Sequence, residues 1–341
     1  MSGPYPFQTS DKFNRREALA ATLAVGASSL IAQTNEAAVV PSSSDDRKRS
    51  TKPVALKKSI NLWAFPYPDR MTLRECLQLA KDAGFDAIEL NYDLESDLSP
   101  KAGPKELAAI RSMADEIGIE ISGLCSFLFW PYPLTANDSE RRSKGMELAT
   151  KMAHAAHALG TKNLLVVPGS VHIPWRDDYP PVANHVCDQR AKEAVAKLLP
   201  TAEKLDISLN IENIFFNGYL MTPMEMADFV DHFDSEHVNV HFDTGNIMMF
   251  QYPEHWIEFL GKRIRNVHLK EYTKNGTDYS LETFRPLLDG TTNWPAVIDA
   301  FTETGYGGYL TFEYFHPWQH YPEALIYQTS DSMNRMLGRQ A

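Results

Sequence analysis

The sequence predicts a closed (β/α)8 barrel, in which eight parallel strands are surrounded by helices. Short apolar runs of strand length alternate with longer segments in which apolar residues recur every three or four positions, as Leu73, Leu77 and Ala80 do. Four of the later runs also end in a carboxylate or imidazole side chain. Such side chains are expected where barrel strands open into an active site.

The alternation continues from Ser59 to the end of the chain. The runs expected to form strands lie near 59–65, 87–92, 121–126, 163–169, 208–213, 238–244, 264–271 and 309–314. The segments expected to form helices include 72–83, 105–117, 140–159, 189–204, 223–232, 294–303 and 322–337. Glycines follow three of these helices, as is typical of helix ends, at Gly84, Gly118 and Gly160.

An open, doubly wound sheet is the main alternative for such an alternation. The sequence contains no strand followed by a GxGxxG turn and a helix, which is the pattern typical of dinucleotide-binding folds. Residues 59–341 are enough for one barrel with enlarged loops, so no second domain is required.

The first 58 residues differ from the rest of the chain. Arg15 and Arg16 precede a run of small and apolar residues at 18–32, a pattern typical of a twin-arginine export signal. The polar stretch that follows, up to Lys58, predicts a disordered linker. We therefore expect an exported, periplasmic protein whose mature chain has no stable membrane span. A chance arginine pair before an alanine-rich helix is the alternative.

Composition and charge disfavour nucleic acid as a partner. The chain is 43% hydrophobic and 23% charged, as in ordinary globular proteins. Its net charge of −11, without a long basic run in the barrel region, disfavours nucleic-acid binding. The three cysteines are far apart and odd in number, so we expect small buried side chains rather than a disulfide framework. The composition is compatible with a homo-oligomer.

Four candidate ligands end the fifth to eighth predicted strands: Glu212, Asp243, His268 and Glu313. Side chains alternate between the two faces of a strand, and each of these residues shares its face with other polar side chains. The residues between them are apolar and are expected to pack outward on helices. The four polar groups are therefore expected to converge at the C-terminal mouth of the barrel.

Three carboxylates and one imidazole form a donor set suited to a divalent metal ion. We expect one Mn²⁺ ion, with Co²⁺, Mg²⁺ and Zn²⁺ as alternatives. Such an ion can polarise a carbonyl group and an adjacent hydroxyl group of a sugar. Glu212 and Glu313 are then candidates to remove and return a proton on either face of the neighbouring carbon, as an isomerase or epimerase requires.

Four further residues are candidate substrate contacts. Lys270 is a candidate for neutralising an enediolate or binding a phosphate, although pairing with a neighbouring acid is an equal alternative. Trp130 can stack on a sugar ring, or can simply pack at the rim. Asn246 and His172 follow predicted strand ends, and a plain turn or loop position is the alternative for each.

Two inward-facing residues are expected to support the ligands rather than to act directly. His241 lies two residues before Asp243 and therefore one layer deeper in the barrel. Glu89 lies in the second predicted strand, on its inward face. Buried side chains of this kind commonly orient metal ligands through hydrogen bonds.

Several motifs resemble those of xylose-isomerase-like TIM barrels. They lie at 83–89, 159–161, 167–169, 211–213, 242–246, 267–271 and 312–313, and so extend over most of the predicted barrel. The chain is most similar to the branch that contains hexulose-phosphate isomerases and ketose 3-epimerases. The resemblance implies that Glu212, Asp243, His268 and Glu313 bind the metal and that Glu212 and Glu313 also act as acid and base on a sugar or sugar phosphate.

Two positions depart from the pattern of ketose 3-epimerases. Asn246 stands where those enzymes often have a substrate-binding histidine, and Lys270 and Lys274 stand where an arginine is common. A metal-dependent lyase or dehydratase acting on a keto sugar or inosose is the alternative function, since it needs the same proton abstraction. A sugar-binding protein is disfavoured by the intact pair of glutamates. An endonuclease-IV-like enzyme is disfavoured, because it needs a multi-metal site with more histidine ligands and a basic DNA-binding face.

Overall fold

The computed structural model describes residues 56–215, 217–274 and 283–339. The strands within these ranges are β1 Lys57–Asn61, β2 Ala87–Asn91, β3 Glu120–Cys125, β4 Asn163–Val166, β5 Ser208–Glu212, β6 Val238–Asp243, β7 Ile264–Leu269, β8 Glu271–Tyr272, β9 Phe284–Arg285 and β10 Tyr309–Phe312. Eight of them, β1 to β7 and β10, close a parallel barrel in chain order, so that β10 pairs with both β7 and β1. The predicted (β/α)8 TIM barrel is confirmed.

Helices connect successive strands of the barrel. In the described part of the chain they are α1 Leu73–Asp82, α2 Pro104–Ile117, α3 Ser139–Leu159, α4 Asn184–Leu205, α5 Pro223–Asp231, α6 Pro253–Leu260, α7 Trp294–Thr304 and α8 Pro322–Met336. None of these helices has the length and apolar character needed to cross a membrane.

The structure corrects the prediction at three places. The first strand starts at Lys57, so the last residues assigned to the linker belong to the barrel. The short helix α6 was not predicted, nor was the two-stranded antiparallel sheet of β8 and β9 beside the barrel. The predicted export signal and nearly all of the predicted linker lie outside the described residues.

Local sequence signals explain where several helices begin and end. The Thr72 hydroxyl accepts a hydrogen bond from the amide of Glu75, and the Glu75 carboxylate accepts one from the amide of Thr72, so that α1 begins with a capping box. Thr222 and Glu225 form the same arrangement at the start of α5. Gly118 ends α2 with φ of 76°, a left-handed conformation that glycine adopts at little cost.

The two faces of the barrel strands differ in polarity, as the alternation predicts. Outward residues such as Ile211, Phe242 and Leu269 are fully buried beneath the helices. Inward residues are polar, and the strand register sets their position along the barrel axis. Asp243 pairs with His268 across β6 and β7, and Glu212 of β5 pairs with His241 of β6. The register therefore brings the candidate ligands to the same end of neighbouring strands.

The cysteines fit the expectation drawn from their spacing. Cys76, Cys125 and Cys187 are free and buried. Cys125 lies inside the barrel, where Asn61 donates a hydrogen bond to its sulfur at 3.2 Å. Burial raises the pKa of its thiol well above the ordinary value. Each thiol is therefore a small buried group of low reactivity.

Gly145→Ala is expected to destabilise the protein by about 1–3 kcal/mol, the usual cost of overpacking. Gly145 lies on the buried face of α3, where a Cβ atom would collide with the backbone carbonyl oxygen of Tyr132. Urea unfolding monitored by circular dichroism measures the change in free energy of unfolding. Ser143→Ala, at an exposed position of the same helix, serves as the control. Equal stabilities for the two variants would contradict the close approach of Gly145 to the backbone carbonyl oxygen of Tyr132.

Candidate metal and catalytic site

The side chains of Glu212, Asp243, His268 and Glu313 converge at the C-terminal ends of β5, β6, β7 and β10. One ligand atom from each lies within 4.8 Å of the others. His268 Nδ1 is 3.5 Å from Glu212 Oε1, 3.5 Å from Glu313 Oε1 and 3.9 Å from Asp243 Oδ2. All four side chains are buried. The structure thus brings together the four residues that the sequence singled out.

The orientation of His268 leaves one ring nitrogen facing the carboxylates. Its Nε2 lies 2.6 Å from Glu89 Oε2, and Asn61 Nδ2 donates to the same oxygen at 2.6 Å. A carboxylate accepts hydrogen bonds, so in the neutral ring Nε2 carries the hydrogen and Nδ1 carries the lone pair. Nδ1 is fully buried and has no hydrogen-bond partner in the described part of the chain. A lone pair directed at three carboxylates fits a bound cation, and the donor set fits a divalent metal.

Asp243 is held by its own loop and by Asn213. Its Oδ1 accepts hydrogen bonds from the amides of Gly245 and Asn246, both at 2.8 Å. The Asn213 side chain forms two hydrogen bonds, each of 2.8 Å, with the backbone amide and carbonyl of Asp243. These contacts leave Oδ2 facing the other candidate ligands. No role is predicted for Asn213 from the sequence, although it directly follows Glu212 in the motif at 211–213.

Burial and mutual repulsion favour protonated forms in this cluster. Burial raises the pKa of both Glu212 and Asp243. Burial alone would lower the pKa of His268, but the carboxylates of Glu313 and Glu89 outweigh it and raise that pKa well above 6.5. A metal ion at this site would therefore compete with protons for the same atoms.

We expect Mn²⁺ to raise the melting temperature more at about pH 8 than at about pH 5.5. The folded-state pKa values of Glu212, Asp243 and His268 are raised, so their protonated forms stabilise the metal-free protein at low pH. That stabilisation is lost as the pH rises, whereas binding of the ion no longer requires displacement of protons. Calorimetry at both pH values checks this. An equal or smaller shift at the higher pH would place the ion elsewhere.

Lys270 points into the site. Its ammonium group lies 2.9 Å from Asp243 Oδ2, forms an ion pair with Glu313 Oε2 and donates to Asn246 Oδ1 at 3.1 Å. Neighbouring Glu271 faces away and accepts hydrogen bonds from Thr292 and Trp294, which anchors the chain after β9. Lys270 therefore pairs with neighbouring acids, Asp243 and Glu313, which is the alternative considered for it from the sequence.

The two residues predicted to support the candidate ligands, Glu89 and His241, both lie against His268. Glu89 contacts His268 as described, and the ring of His241 lies 4.1 Å from that of His268, centroid to centroid. Burial and the nearby charges of His268 and Lys270 lower the pKa of His241 well below the ordinary value, so its ring is neutral. Asn61, for which the sequence predicts no role, completes this layer by donating a hydrogen bond to Glu89.

The remaining candidates occupy the rim. Asn246 is nearest to the ligands, and its Nδ2 donates to the Asn213 carbonyl at 3.0 Å. Trp130 is half-buried, with its ring centroid 5.1 Å from that of Trp175. His172 is exposed, and its carbonyl accepts a hydrogen bond from Asn217. The substrate contacts proposed for these residues and for Lys270 stay predictions.

Comparison with known proteins agrees with this architecture. The sequence profile of the family described as "Xylose isomerase-like TIM barrel" matches residues 77–336. An L-ribulose 3-epimerase from Mesorhizobium japonicum is 25% identical over 252 residues, which cover 71% of this chain and 75% of that protein. An L-ribulose-5-phosphate 3-epimerase from Escherichia coli K12 is 22% identical over 262 residues, covering 75% of this chain and 87% of that one.

Solved structures have the same fold. A structure of L-ribulose 3-epimerase superposes with a TM-score of 0.66 at 19% identity, covering 83% of this chain and 95% of that chain. The IolI protein, whose structure contains a bound zinc atom, superposes with a TM-score of 0.68 at 15% identity, covering 83% and 98%. The profile match extends over most of the barrel, and the related proteins are enzymes. The chain is therefore an enzyme that belongs to the xylose isomerase-like TIM barrel family.

Proposed function

We propose that the protein is a divalent-metal-dependent isomerase or epimerase that acts on a keto sugar through an enediolate. One observation carries the proposal. Two glutamates flank the candidate metal position, with Glu212 Oε1 and Glu313 Oε1 each 3.5 Å from His268 Nδ1. They come from β5 and from the end of β10, with β6 and β7 between them in the barrel. The two carboxylates thus approach the site from its two sides.

We infer that Glu212, Asp243, His268 and Glu313 hold one divalent ion, with Mn²⁺ as the favoured metal. Three carboxylates and one imidazole suit Mn²⁺, and Co²⁺, Mg²⁺ and Zn²⁺ accept similar donors. The zinc atom in the structure of the IolI protein supports a metal site in this fold. When bound, a divalent ion polarises the carbonyl group of a substrate and stabilises negative charge on its oxygen.

The two glutamates supply the proton transfers. One carboxylate takes the proton from the carbon next to the carbonyl, the C–H electrons form the enediolate, and that carboxyl group becomes neutral. Return of a proton from the other carboxyl group to the opposite face of the same carbon inverts it, as an epimerase does. Return to the neighbouring carbon gives the isomer. Both carboxylates are buried, which keeps competing water away from the proton.

Neighbouring residues hold the two glutamates and the ligands in place. Lys270 forms an ion pair with Glu313, which offsets part of the negative charge that three carboxylates concentrate in one site. Asn213 and the amides after Asp243 fix the ligand that lies between the glutamates. The proton-transfer groups therefore have rigid supports, as efficient acid–base catalysis requires.

Proton exchange with solvent is the test of this function. The purified protein is loaded with Mn²⁺ and incubated in deuterated water with L-ribulose and other free and phosphorylated ketoses, and the sugars are followed by NMR. Deuterium should enter at the carbon next to the carbonyl, and an epimer or an isomer should accumulate. Elimination products would instead support the metal-dependent lyase. Absence of exchange with every sugar would overturn the proposed function.

A further inference from the structure

We propose that the substrate has no phosphate or other anionic group and that its apolar C–H face lies against an aromatic wall formed by Trp63, Phe127 and Phe315. This inference rests on the proposed function, because it specifies which kind of sugar the site accepts. It is supported by the hydrogen bonding of Lys270, by the partners of the other cations around the mouth, and by the placement of the three rings.

The ammonium group of Lys270 is already surrounded by acceptor groups. It donates a hydrogen bond to Asn246 Oδ1 and forms ion pairs with the carboxylates of Asp243 and Glu313. The group is 4% exposed, and its nitrogen lies 5.1 Å from the ring centroids of both Phe284 and Phe315. Binding a phosphate here would mean giving up two buried ion pairs, so the ammonium serves the carboxylates.

The other cations of the mouth also have partners. Apart from Lys270, the loops that follow the barrel strands contain five lysines and arginines, which are Arg70, Lys101, Arg176, Lys274 and Arg285. Lys101 and Arg176 form ion pairs with Glu95 and Asp178. The other three donate to backbone carbonyls, and Lys274 also lies 3.7 Å from the ring centroid of Tyr252. Each of these five side chains therefore already has a partner within the protein, and binding an anionic ligand would compete with that contact.

The electrostatic balance of the site also opposes an anionic substrate. Three carboxylates face one another at the ligand cluster, and the chain as a whole has a net charge of −11. One divalent ion and Lys270 offset those three charges and leave little positive potential for a dianion. Sites that recognise phosphate normally present unpaired arginine, lysine or amide donors.

The aromatic wall is built from three loops that meet at the mouth. Trp63 follows β1, Phe127 follows β3 and Phe315 follows β10. Their ring centroids are 4.3 Å apart for Trp63 and Phe127, 5.2 Å for Trp63 and Phe315, and 5.3 Å for Phe127 and Phe315. Phe315 lies two residues after Glu313 and against Lys270. The wall therefore borders the glutamate proposed to transfer the proton.

The wall is partly open to solvent, as a binding surface must be. Phe127 is 42% exposed, and Trp63 and Phe315 are half-buried. Aromatic rings pack well against the C–H face of a sugar, while its hydroxyl groups remain directed to polar partners. Such a surface contributes to the binding of a neutral sugar, but it provides no positive charge to bind a phosphate group.

A matched pair of sugars tests the inference on the full, Mn²⁺-loaded protein. L-ribulose and L-ribulose 5-phosphate differ only in the phosphate. Deuterium exchange measures turnover, and saturation-transfer NMR measures binding whether or not turnover occurs. The variant is Phe127→Ala. The control is Phe259→Ala, which removes a similarly exposed ring, 49% exposed, from helix α6.

We expect the free sugar to exchange and bind, with the phosphorylated sugar at least about 10-fold weaker and with no competition from inorganic phosphate. Phe127→Ala should raise KM for the free sugar by about 3- to 10-fold with little change in kcat, and Phe259→Ala should leave both unchanged.

Preference for the phosphorylated sugar, or competition by phosphate, would overturn the inference and leave the proposed function standing. Equal effects of Phe127→Ala and Phe259→Ala would show that the aromatic wall does not bind the sugar. If neither sugar exchanges, the proposed function fails for these ketoses, and binding alone decides the inference. Selective binding of the free sugar that Phe127→Ala weakens supports it, and any other binding result overturns it.

Discussion

Glu313→Gln is expected to lower turnover by about 100-fold or more, the usual scale for loss of a general acid or base. Glutamine keeps the shape of the side chain and one ligating oxygen, but it cannot take up and return a proton. Metal content should fall much less, because Glu212, Asp243 and His268 remain around the same point. Glu212→Gln should behave in the same way, since the proposed chemistry needs one carboxylate on each side.

Steady-state kinetics and metal analysis on the same preparation check this expectation. Glu258→Gln, an exposed position of helix α6, is the matched control and should retain full turnover. Near-normal turnover in a fully metallated Glu313→Gln protein would reduce Glu313 to a ligand. The mechanism with two glutamates would then have to be abandoned.

Glu89→Gln is expected to weaken Mn²⁺ binding by about 10- to 100-fold, although Glu89 is not proposed to touch the ion. Its carboxylate accepts the hydrogen bond from His268 Nε2 at 2.6 Å, which fixes the ring and leaves Nδ1 as the ligand atom. The substitution removes the negative charge that makes Nδ1 of His268 a stronger electron-pair donor to the metal ion. It also gives Asn61 a weaker acceptor.

Titration calorimetry with Mn²⁺ measures the affinity of the variant. Glu271→Gln is a demanding control, since it changes another buried carboxylate that accepts hydrogen bonds from Thr292 and Trp294. It should lower thermal stability and leave Mn²⁺ affinity unchanged. If both variants lose affinity equally, general destabilisation explains the effect and the orienting role of Glu89 is wrong.

The fold and the ligand cluster could be predicted because both follow from periodicity within single strands. Glu212, Asp243 and Glu313 share the inward parity of their strands, so the closure of any parallel barrel brings them to one end. The outward face of β6, with Val240 and Phe242, is as apolar as the alternation requires. Here local pattern and overall fold agree, as they do in most natural sequences.

What the sequence could not predict depends on contacts between distant segments. The partner of His268 is Glu89, which lies across the barrel on β2, and no local pattern indicates that pairing. Asn61 and Asn213 act through side-chain hydrogen bonds that any buried asparagine can form. The aromatic wall joins three loops of irregular structure, where periodicity gives no information about direction. Strands β8 and β9 are too short to produce an alternation.

The location of the metal ion tests the central claim most directly. Crystals of the protein grown with Mn²⁺ would be measured near the manganese absorption edge, and the anomalous difference map would be calculated. We predict one strong peak per chain, about 2.0–2.3 Å from His268 Nδ1 and from carboxylate oxygens of Glu212, Asp243 and Glu313. A peak at any other position, or a fully loaded protein in which His268 Nδ1 makes no contact with the ion, would contradict it.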